Sequence, residues 1–565
     1  MNLYYTILNA LLLVSAFILL KHSWYRFTYF LQMFQQHGYK IREFYHWFFH
    51  SFYTRVIIPE HFLFVIVIFS LLFFLSESLT LSAATWILSL FTLFWFGSVS
   101  RYKAEKDKKP LVYTARMKRL AFILGSFLFL FIFIIVDLSF TGRLMNTPIV
   151  IRDTGSVLLT AEPYFLLFGL VLVDMSVPLF LFLAAWLMAP LERSIHNSFK
   201  KKARKKLSEM PDLKIIAITG SYGKTSTKFL IHALLKERYQ VCMTPGSYNT
   251  PMGICKVINN DLDTRHQILI LEMGARYEGN IRELCEIARP DVAVITNVGI
   301  AHLETFGSEE TIAREKSTLA KELKPGGILV LNGDDESVSA MGALNKEANI
   351  HLAGIHNGEV RASGIKYNEK GTQFTMLWLE NERIVEEHEI ELRLLGAHNV
   401  QNFLLAACVA KEFGIRPGTM ALAASQIEPV EHRLELKQQN GLTIIDDAFN
   451  SNPTGAKNAV EILTSFPTGR KVIITPGMIE LGEIQENENR KFGKHIADAN
   501  LDLIILVGRR QTEPILQGYR ENGGPDERVR VVNSLFEANE IARQFARDGD
   551  IILYENDLPD TYSEE

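Results

Sequence analysis

The chain has 565 residues, of which 22% are charged and 48% hydrophobic, and its formal net charge is −4 at pH 7. This length allows several domains, and a slightly negative charge without a dominant basic face argues against a nucleic-acid-binding protein. The scattered cysteines form no CxxC pair, which excludes the usual zinc and disulfide patterns and fits a reducing compartment; they are Cys242, Cys255, Cys285 and Cys408.

The first third of the chain is rich in Leu, Phe, Ile and Trp and contains five apolar stretches that predict membrane-spanning helices. They lie at residues 3–20, 61–76, 83–99, 119–136 and 164–188. The first stretch lacks a basic n-region and a small-residue cleavage site, which favours an anchor helix over a signal peptide. The second and third are short, so a hairpin that stops within the membrane is the alternative.

Charge predicts the orientation of these spans. Lysine and arginine collect after spans one, three and five, whereas the alternate loops have little positive excess. The positive-inside rule therefore places the N-terminus outside and the long C-terminal part in the cytoplasm, where ATP is available. The aromatic and basic segment Trp24–Tyr53 suits helices in the headgroup region, which either support the bundle or form a groove for a lipid-linked substrate. Asp174, inside span five, indicates either a functional carboxylate or a hydrogen bond between helices.

A basic, helix-prone linker at residues 191–211 suits an anionic membrane surface. From Leu213 onward, short apolar runs alternate with helical patterns, which predicts a parallel sheet with crossover helices. The predicted strands are Lys214–Ile218, Gln267–Glu272, Asp291–Thr296 and Ile328–Asn332. Polar residues follow each of them, among them Asn332, Asp334 and Asp335 after the fourth. Because ligands bind at the carboxyl ends of such strands, this arrangement predicts a magnesium–nucleotide site.

The segment Ile218–Lys228, ITGSYGKTSTK, joins the first predicted strand to a helix that begins near Thr225. Its glycines allow backbone N–H groups to point at phosphate, with Lys224 as the counter-charge and the Thr225 hydroxyl available to magnesium. Ile218 stands where the strict Walker pattern has its first glycine. The pattern alone therefore leaves two interpretations open, a nucleotide-binding loop and a tight turn capped by hydroxyls.

A further helix is predicted after His302, with Ser308 as its N-cap and Glu309 and Glu310 in its first turn. Lys316 lies on the apolar face of this helix, where a solvated lysine is not expected. The lysine either extends its ammonium group to the rim of the core or has a depressed pKa in a metal site.

The remaining sequence predicts two more regions. Alternating residues from about Val360 to Leu395 predict an antiparallel accessory sheet, and Leu394–Ala407 predicts an apolar helix that opens with polar residues. An α/β region without a dinucleotide fingerprint begins at Arg433, and its first strand ends in the polar cluster Ile444–Pro453. Its predicted strands are Leu442–Asp446, Val472–Thr475, Leu503–Val507, Val529–Val532 and Ile551–Tyr554.

Seven ordered motifs together resemble the Mur ligases, most of all their D-alanyl-D-alanine-adding branch, MurF. The motifs are TGSYGKTSTK, LEMGARYEGNI, ITNVGIAHLETFGS, AREKSTLAKEL, LGAHNVQN, DDAFNSNP and GMIELG, between about residues 212 and 540. The resemblance accounts for the missing Walker glycine, because the Mur-type loop is shorter. The predicted architecture is a multi-domain chain: an α-helical transmembrane bundle (1–190), the basic linker (191–211), a central α/β ATPase domain (212–428) and a C-terminal Rossmann-like α/β domain (429–565).

The resemblance also implies roles for individual residues. The residues that it implies to be catalytic are Lys224, His302, Lys316 and Arg433. Those implied to bind ATP are Thr219, Gly220, Ser221, Gly223, Lys224, Thr225, Ser226, Asn402, Arg433, Asp447, Phe449 and Asn450, with Asp446 beside them. Those implied to hold Mg²⁺, expected as two ions, are Thr225, Glu272, His302 and Lys316. In many Mur ligases the lysine that aligns with Lys316 is carbamylated.

The implied activity is ATP-dependent carbon–nitrogen ligation in peptidoglycan synthesis. ATP would convert a carboxylate of a cell-envelope precursor to an acyl phosphate, which the amine of an amino acid or dipeptide attacks. Two departures leave the acceptor open: the membrane bundle replaces the family's UDP-precursor-binding domain, and the end ILYENDLPDTY replaces a KGS-type lysine motif. The acceptor is thus UDP-linked or lipid-linked, within peptidoglycan synthesis or outside it.

Two other classes compete with the ligase. A P-loop membrane ATPase or transport component should have a Walker-B strand that ends in Asp-Glu, but the obvious Asp-Asp strand end, Asp446–Asp447, lies in the wrong domain. An inactive Mur-like scaffold is disfavoured by the intact Lys224, Glu272, His302 and Lys316. The predicted location is the bacterial cytoplasmic membrane, with the catalytic domains in the cytoplasm and no nucleic-acid partner.

Overall fold

The computed structural model describes residues 2–51, 61, 89–90, 93–98, 102, 110–140, 148–150, 158–160, 162–299, 303–368, 371–428, 432, 434–448, 451–479 and 481–557. The chain divides into two compact units, Met1–Ile195 and His196–Glu565.

The described part of the first unit is mainly helical. Its elements are α1 (Asn2–Gln36), α2 (Ile41–His50), α3 (Ala115–Phe140), the antiparallel strands β1 (Pro148–Val150) and β2 (Leu158–Thr160), and α4 (Glu162–Ser208), which continues into the second unit. Among the described residues, two helical segments are long and apolar enough to cross a membrane, Ala115–Leu138 and Gly169–Ser208. They contain the predicted span 119–136 and most of 164–188, and α1 contains 3–20. Most of 61–76 and 83–99 lies outside the described residues.

A buried polar network surrounds Asp174 in this unit. The Asp174 carboxylate lies 2.9 Å from His22 Nδ1 and 3.0 Å from His61 Nε2, and it accepts a hydrogen bond of 2.8 Å from Ser23 Oγ. Arg26 Nε donates to the backbone oxygen of Asp174 and lies 3.6 Å from its carboxylate. The four ionisable side chains are at most 1% exposed. Asp174 therefore makes the contact between helices that the sequence had left as one of two alternatives.

A nine-stranded sheet organises the first part of the second unit. Its strands are β3 (Lys214–Thr219), β4 (Val241–Met243), β5 (Ile268–Glu272), β6 (Val292–Ile295), β7 (Ile328–Asn332), β8 (Asn349–Ala353), β9 (Val360–Asn368), β10 (Gly371–Glu380) and β11 (Arg383–Leu392). Their spatial order is β11-β10-β9-β8-β7-β6-β3-β5-β4. The neighbours from β4 to β9 run parallel, which confirms the parallel sheet and all four of its predicted strands.

The antiparallel strands predicted from about Val360 to Leu395 are confirmed, and they are part of the nine-stranded sheet. Strands β9, β10 and β11 do pair antiparallel, but β9 also pairs with β8 through Ala353 and Val360 and thereby extends the parallel sheet. The sequence did not predict β8, so this connection was missing. Strand β11 forms one edge of the sheet and contains four glutamates, Glu386, Glu387, Glu389 and Glu391, while the three-residue strand β4 forms the other edge.

Helices cover both faces of this sheet. They are α5 (Lys224–Leu235), α6 (Pro251–Lys256), α7 (Asn280–Ile287), α8 (Leu303–Phe306), α9 (Glu309–Lys321), α10 (Glu336–Ser339), α11 (Ala397–Glu412) and α12 (Pro417–Ala424). Because successive residues of a strand face opposite sides, Ile216 of β3 packs in the core with α5 and α11, and Ile215 in the core with α7 and α9. Ser308 caps α9 by accepting a hydrogen bond from the Thr311 N–H group, as predicted.

The end of α4 packs on the same domain. Ala203 is fully buried in the core that contains α7, Lys200 pairs with Glu283, and Arg204 donates to the backbone oxygen of Glu286. Part of the basic segment expected to face a membrane is thus paired with protein carboxylates and carbonyl groups.

A six-stranded sheet forms the C-terminal part. Its strands are β12 (Glu435–Gln439), β13 (Leu442–Asp447), β14 (Lys471–Thr475), β15 (Leu503–Val507), β16 (Val529–Val532) and β17 (Ile551–Glu555), in the order β12-β13-β17-β14-β15-β16. The helices are α13 (Pro453–Ser465), α14 (Gln485–Asp498), α15 (Glu513–Glu521) and α16 (Leu535–Phe545). All pairs are parallel except β12 with β13, as expected for a Rossmann-like domain.

Candidate active site

The loop between β3 and α5 is shaped by two glycines. Gly220 and Gly223 have φ values of +152° and +76°, a region that other residues rarely adopt. A Cβ atom on Gly223 would lie 2.5 Å from Oδ1 of Asn402, so the α11 asparagine approaches the loop directly. Gly223 precedes the first residue of α5, and the N–H groups of the helix's first turn therefore begin at the loop.

The segment after β6 holds this loop in place. Asn297 accepts hydrogen bonds from two loop N–H groups, from Ser221 through its backbone oxygen and from Tyr222 through Oδ1, at 3.0 and 2.8 Å. Ser221 Oγ donates to the Gly299 carbonyl and accepts from the Gly299 N–H group. Lys224 Nζ bends back over the loop and donates to the carbonyl oxygens of Gly220 and Ser221. The loop and its ammonium group are thus preorganised by neighbouring backbone.

Beside the loop, the Glu272 carboxylate at the end of β5 receives three side-chain donors. Thr225 Oγ1 donates to its Oε2 at 2.9 Å, Lys228 Nζ lies 3.2 Å from the same oxygen, and Asn249 Nδ2 donates to Oε1 at 3.1 Å. Glu272 and Thr225 are both buried. The sheet thus brings together two residues that lie far apart in the sequence and that we had predicted as metal ligands.

The Thr225–Glu272 geometry fits Mg²⁺. Two oxygen ligands at 2.0–2.1 Å on adjacent corners of an octahedron lie about 2.9 Å apart. Thr225 Oγ1 and Glu272 Oε2 are 2.9 Å apart, the length of their hydrogen bond, and this spacing is compatible with both oxygens binding one ion. Within the described part of the chain, no group of three His, Cys, Asp or Glu side chains is arranged to hold a metal ion. The hydroxyl–carboxylate pair is the candidate magnesium site because both of its groups are oxygen ligands. His302 lies outside the described residues.

Lys316 is buried on the inner side of α9, with 3% of its surface exposed. Burial, and to a smaller extent the nearby charge of Lys224, lower its pKa from 10.5 to about 7, while Glu315 acts in the opposite direction. Glu315 itself accepts hydrogen bonds from the Gly279 and Ile281 N–H groups at the start of α7. The expected position of Lys316 inside the core is confirmed, and a large fraction of its amine is neutral near pH 7.

The other predicted site residues lie in three places. Thr219 Oγ1 donates to the Met273 carbonyl, and Ser226 is buried in the first turns of α5. Asp447 ends β13 in the C-terminal domain and accepts a hydrogen bond from the Leu434 N–H group. Arg433, Phe449 and Asn450 lie outside the described residues.

The acidic residues after β7 accept hydrogen bonds from backbone N–H groups of neighbouring loops. Asp334 accepts hydrogen bonds from the N–H groups of Ile355, His356 and Asn357. Asp335 caps α10 and also accepts from the Val298 N–H group. These carboxylates shape the loops next to the site.

Sequence reasoning missed Lys228 and Asn249. Lys228 lies one helical turn after Lys224 and Thr225, and this spacing could have placed it on their face of α5. Asn249 lies in an irregular segment 23 residues before Glu272, and no sequence pattern connects the two.

Comparison with known proteins identifies the family. Residues 218–410 match the Mur ligase middle domain, and residues 432–554 match the Mur ligase glutamate ligase domain. The chain belongs to the Mur ligase family. As a Mur ligase it is an ATP-dependent ligase, and its residues 1–217 lie outside both matched domains.

Relatives of this Mur ligase include proteins named UDP-N-acetylmuramoyl-tripeptide–D-alanyl-D-alanine ligase. The Bacillus subtilis protein is 32% identical over 343 residues, which cover 60% of this chain and 72% of that protein. The Mycobacterium tuberculosis (strain H37Rv) protein is 36% identical over 303 residues, which cover 52% of this chain and only 58% of that protein. The similarity thus includes a part of each relative and leaves a part of each unmatched.

Solved structures give the same family relationship. A MurF from Thermotoga maritima in complex with ADP has a TM-score of 0.57 and 27% identity, and the match covers 64% of this chain and 80% of that one. A MurF from Acinetobacter baumannii has a TM-score of 0.59 and 25% identity, with 65% and 79% covered.

Replacing Gly223 by alanine is expected to weaken ADP binding at least tenfold. The new Cβ would meet the Asn402 amide at 2.5 Å and would also be held at a left-handed φ, so the loop must shift. The left-handed backbone alone costs about 1–2 kcal/mol. Gly279→Ala is the matched control, because Gly279 has a φ of +87° and a Cβ atom added there would have nothing within 4 Å. Calorimetric titration with ADP measures the effect, and equal affinities in the two variants would contradict it.

Proposed function

We propose that this Mur ligase forms an amide bond between a carboxylate of a cell-envelope precursor and the amine of an amino acid or dipeptide. ATP phosphorylates the carboxylate to an acyl phosphate, the amine attacks the acyl carbon, and inorganic phosphate leaves. The observation that supports this most directly is the convergence of the glycine loop, Lys224 and the Thr225–Glu272 pair at the carboxyl ends of parallel strands.

The residues of the loop act mainly by position and charge. Lys224 and the N–H groups at the start of α5 neutralise negative charge on the phosphates. Thr225 and Glu272 would hold Mg²⁺, which supplies further charge neutralisation at the transferred phosphoryl group. Asn402, packed against Gly223, borders the nucleotide on the side of α11.

Lys316 is proposed to react with carbon dioxide. Only a neutral amine can attack CO₂; its nitrogen forms a bond to the carbon, one proton is released, and the product is a carbamate anion. Burial supplies the neutral amine, since the pKa of Lys316 is about 7. The carbamate would provide a carboxylate-like ligand for a second Mg²⁺ near Lys224, together with His302.

The C-terminal domain is proposed to complete the ATP site. Asp447 would contribute with Arg433, Phe449 and Asn450, and closure about the segment near Arg433 would bring these residues to the nucleotide. The proposed boundaries remain 212–428 for the central domain and 429–565 for the C-terminal one, after the bundle at 1–190 and the linker at 191–211.

The substrates are proposed from the relatives' names. The relatives are named UDP-N-acetylmuramoyl-tripeptide–D-alanyl-D-alanine ligase, so D-alanyl-D-alanine is the first amine to test. The acceptor is proposed to be membrane-bound, because residues 1–217 lie outside the matched domains and contain both candidate membrane spans that the described residues show. We therefore propose an integral protein of the bacterial cytoplasmic membrane, with five spans and its catalytic domains in the cytoplasm.

The test is ADP release by the full chain in detergent, with D-alanyl-D-alanine and either a UDP-linked or a polyprenyl-linked muramoyl tripeptide. We expect release to require both an amine and an acceptor, with the lipid-linked acceptor preferred. Full-rate turnover of the UDP-linked tripeptide would contradict the proposal of a membrane-bound acceptor. It would still support the proposed ligase activity. ADP release without any acceptor would contradict the proposal that the protein forms an amide bond on an acceptor.

A further inference from the structure

Lys228 is a fully buried lysine that the proposed reaction does not use. Its exposed fraction is 0%, and it lies on α5 on the same face as Lys224 and Thr225. A buried ammonium group is costly unless it is paired and hydrogen-bonded. Lys228 meets this condition through two partners, the Gly246 carbonyl oxygen and the Glu272 carboxylate.

The donors around Glu272 differ in their chemistry. A carboxylate offers about four lone-pair positions, and three are used here: two on Oε2, by Thr225 and Lys228, and one on Oε1, by Asn249. Of the three donor atoms, only Thr225 Oγ1 can also be a metal ligand. An ammonium group and an amide NH₂ group can only donate.

We propose that Lys228 and Asn249 are positioning residues that hold Glu272 as a metal ligand, an inference that rests on the proposed magnesium site. When the Thr225 oxygen serves a metal ion, the Oε2 lone pair that its hydroxyl occupied becomes available to the same ion. Lys228 and Asn249 keep the carboxylate oriented during this exchange, because Lys228 donates to Oε2 and Asn249 donates to Oε1.

A simple counter-charge role for Lys228 predicts the opposite result from a positioning role. If Lys228 only balanced charge, its removal would leave a more negative site, and a divalent cation would bind more tightly. If Lys228 orients Glu272, its removal weakens metal binding by about 10–100-fold, the usual effect of losing a partner of a metal ligand. The direction of the change therefore decides between the two roles.

The experiment measures Mn²⁺ binding to the full chain in saturating ADP by electron paramagnetic resonance, without turnover. Lys228→Met is expected to weaken binding by about 10–100-fold, and Asn249→Ala to weaken it in the same direction. Lys236→Met is the control, because Lys236 is exposed at the end of the same helix. Unchanged or tighter binding in Lys228→Met would overturn the proposal.

A failure of the magnesium site and a failure of the positioning role give different results in this experiment. If Lys228→Met does not fold, Asn249→Ala decides by the same criterion, because it leaves the Lys228–Glu272 pair intact and removes only an uncharged side chain. If the unmodified chain shows no ADP-dependent Mn²⁺ binding, the magnesium site of the proposed function has failed. If the unmodified chain binds Mn²⁺ and both variants equal the control, only the positioning role has failed.

Discussion

Replacing Lys316 by methionine is expected to lower kcat by about 10²–10³-fold, the size of effect seen when one electrostatic contact to a transition state is removed. The variant loses the amine that carbamylation needs, while methionine still fills the buried space on α9. Lys316→Ala should show a similar loss but recover partly with acetate, since a small carboxylate can enter the space left by the lysine. Lys321→Met, an exposed position on the same helix, is the control. Full activity of Lys316→Met in CO₂-free buffer would contradict the carbamate.

The same substitution has an expected effect on stability. Between the folded-state pKa of about 7 and the ordinary value of 10.5, the unfolded chain binds the proton that buried Lys316 has released. The contribution of Lys316 to the free energy of unfolding therefore rises with pH across this window. Urea unfolding at pH 7 and pH 9, in CO₂-free buffer, should show a smaller rise for Lys316→Met than for the unmodified chain. Equal rises would mean that Lys316 is not the group responsible.

Replacing Asp174 by alanine is expected to destabilise the first unit by about 3–5 kcal/mol, the usual cost of removing one partner of a buried charged group. Arg26 would keep its charge in the core, and His22 and His61 would lose the carboxylate they contact. Unfolding of the full chain by SDS in mixed micelles measures the change. ADP binding should persist, because the network lies within the first unit.

Glu43→Gln is the matched control for Asp174. Glu43 pairs with Lys40 at 3.0 Å on the surface of the same unit, where an ion pair contributes at most about 1 kcal/mol. If Asp174→Ala and Glu43→Gln unfold at the same SDS fraction, the Asp174 network does not stabilise the unit.

The sequence predicted strands well where a continuous apolar run is bounded on both sides by polar residues, glycine or proline. Lys214–Thr219 and Ile328–Asn332 are such cases, because central parallel strands are apolar on both faces. It failed for β4, which has three residues, and for β12, whose sequence is ELKQQ. These edge segments become strands because a neighbouring strand offers hydrogen bonds, and periodicity does not contain that information.

Some residues of the candidate site could be predicted from the sequence, and others could be found only in the structure. The loop residues from Thr219 to Ser226 are local in sequence, so one motif identifies them. Their proximity to Glu272 follows from the rule that parallel strands end at one edge. Lys228 and Asn249 could not be found so directly, because the burial of a lysine and the approach of a distant amide depend on packing.

The edges of the nine-stranded sheet affect how this protein behaves when it is crowded. An edge strand has unpaired N–H and C=O groups that can recruit a strand from another molecule and start aggregation. Strand β11 opposes such recruitment, because its glutamates repel the same strand of a second molecule. Strand β4, with three residues, offers too little length for a stable added strand. Since salt screens such repulsion, the colloidal stability of the protein at low ionic strength should exceed that at high ionic strength.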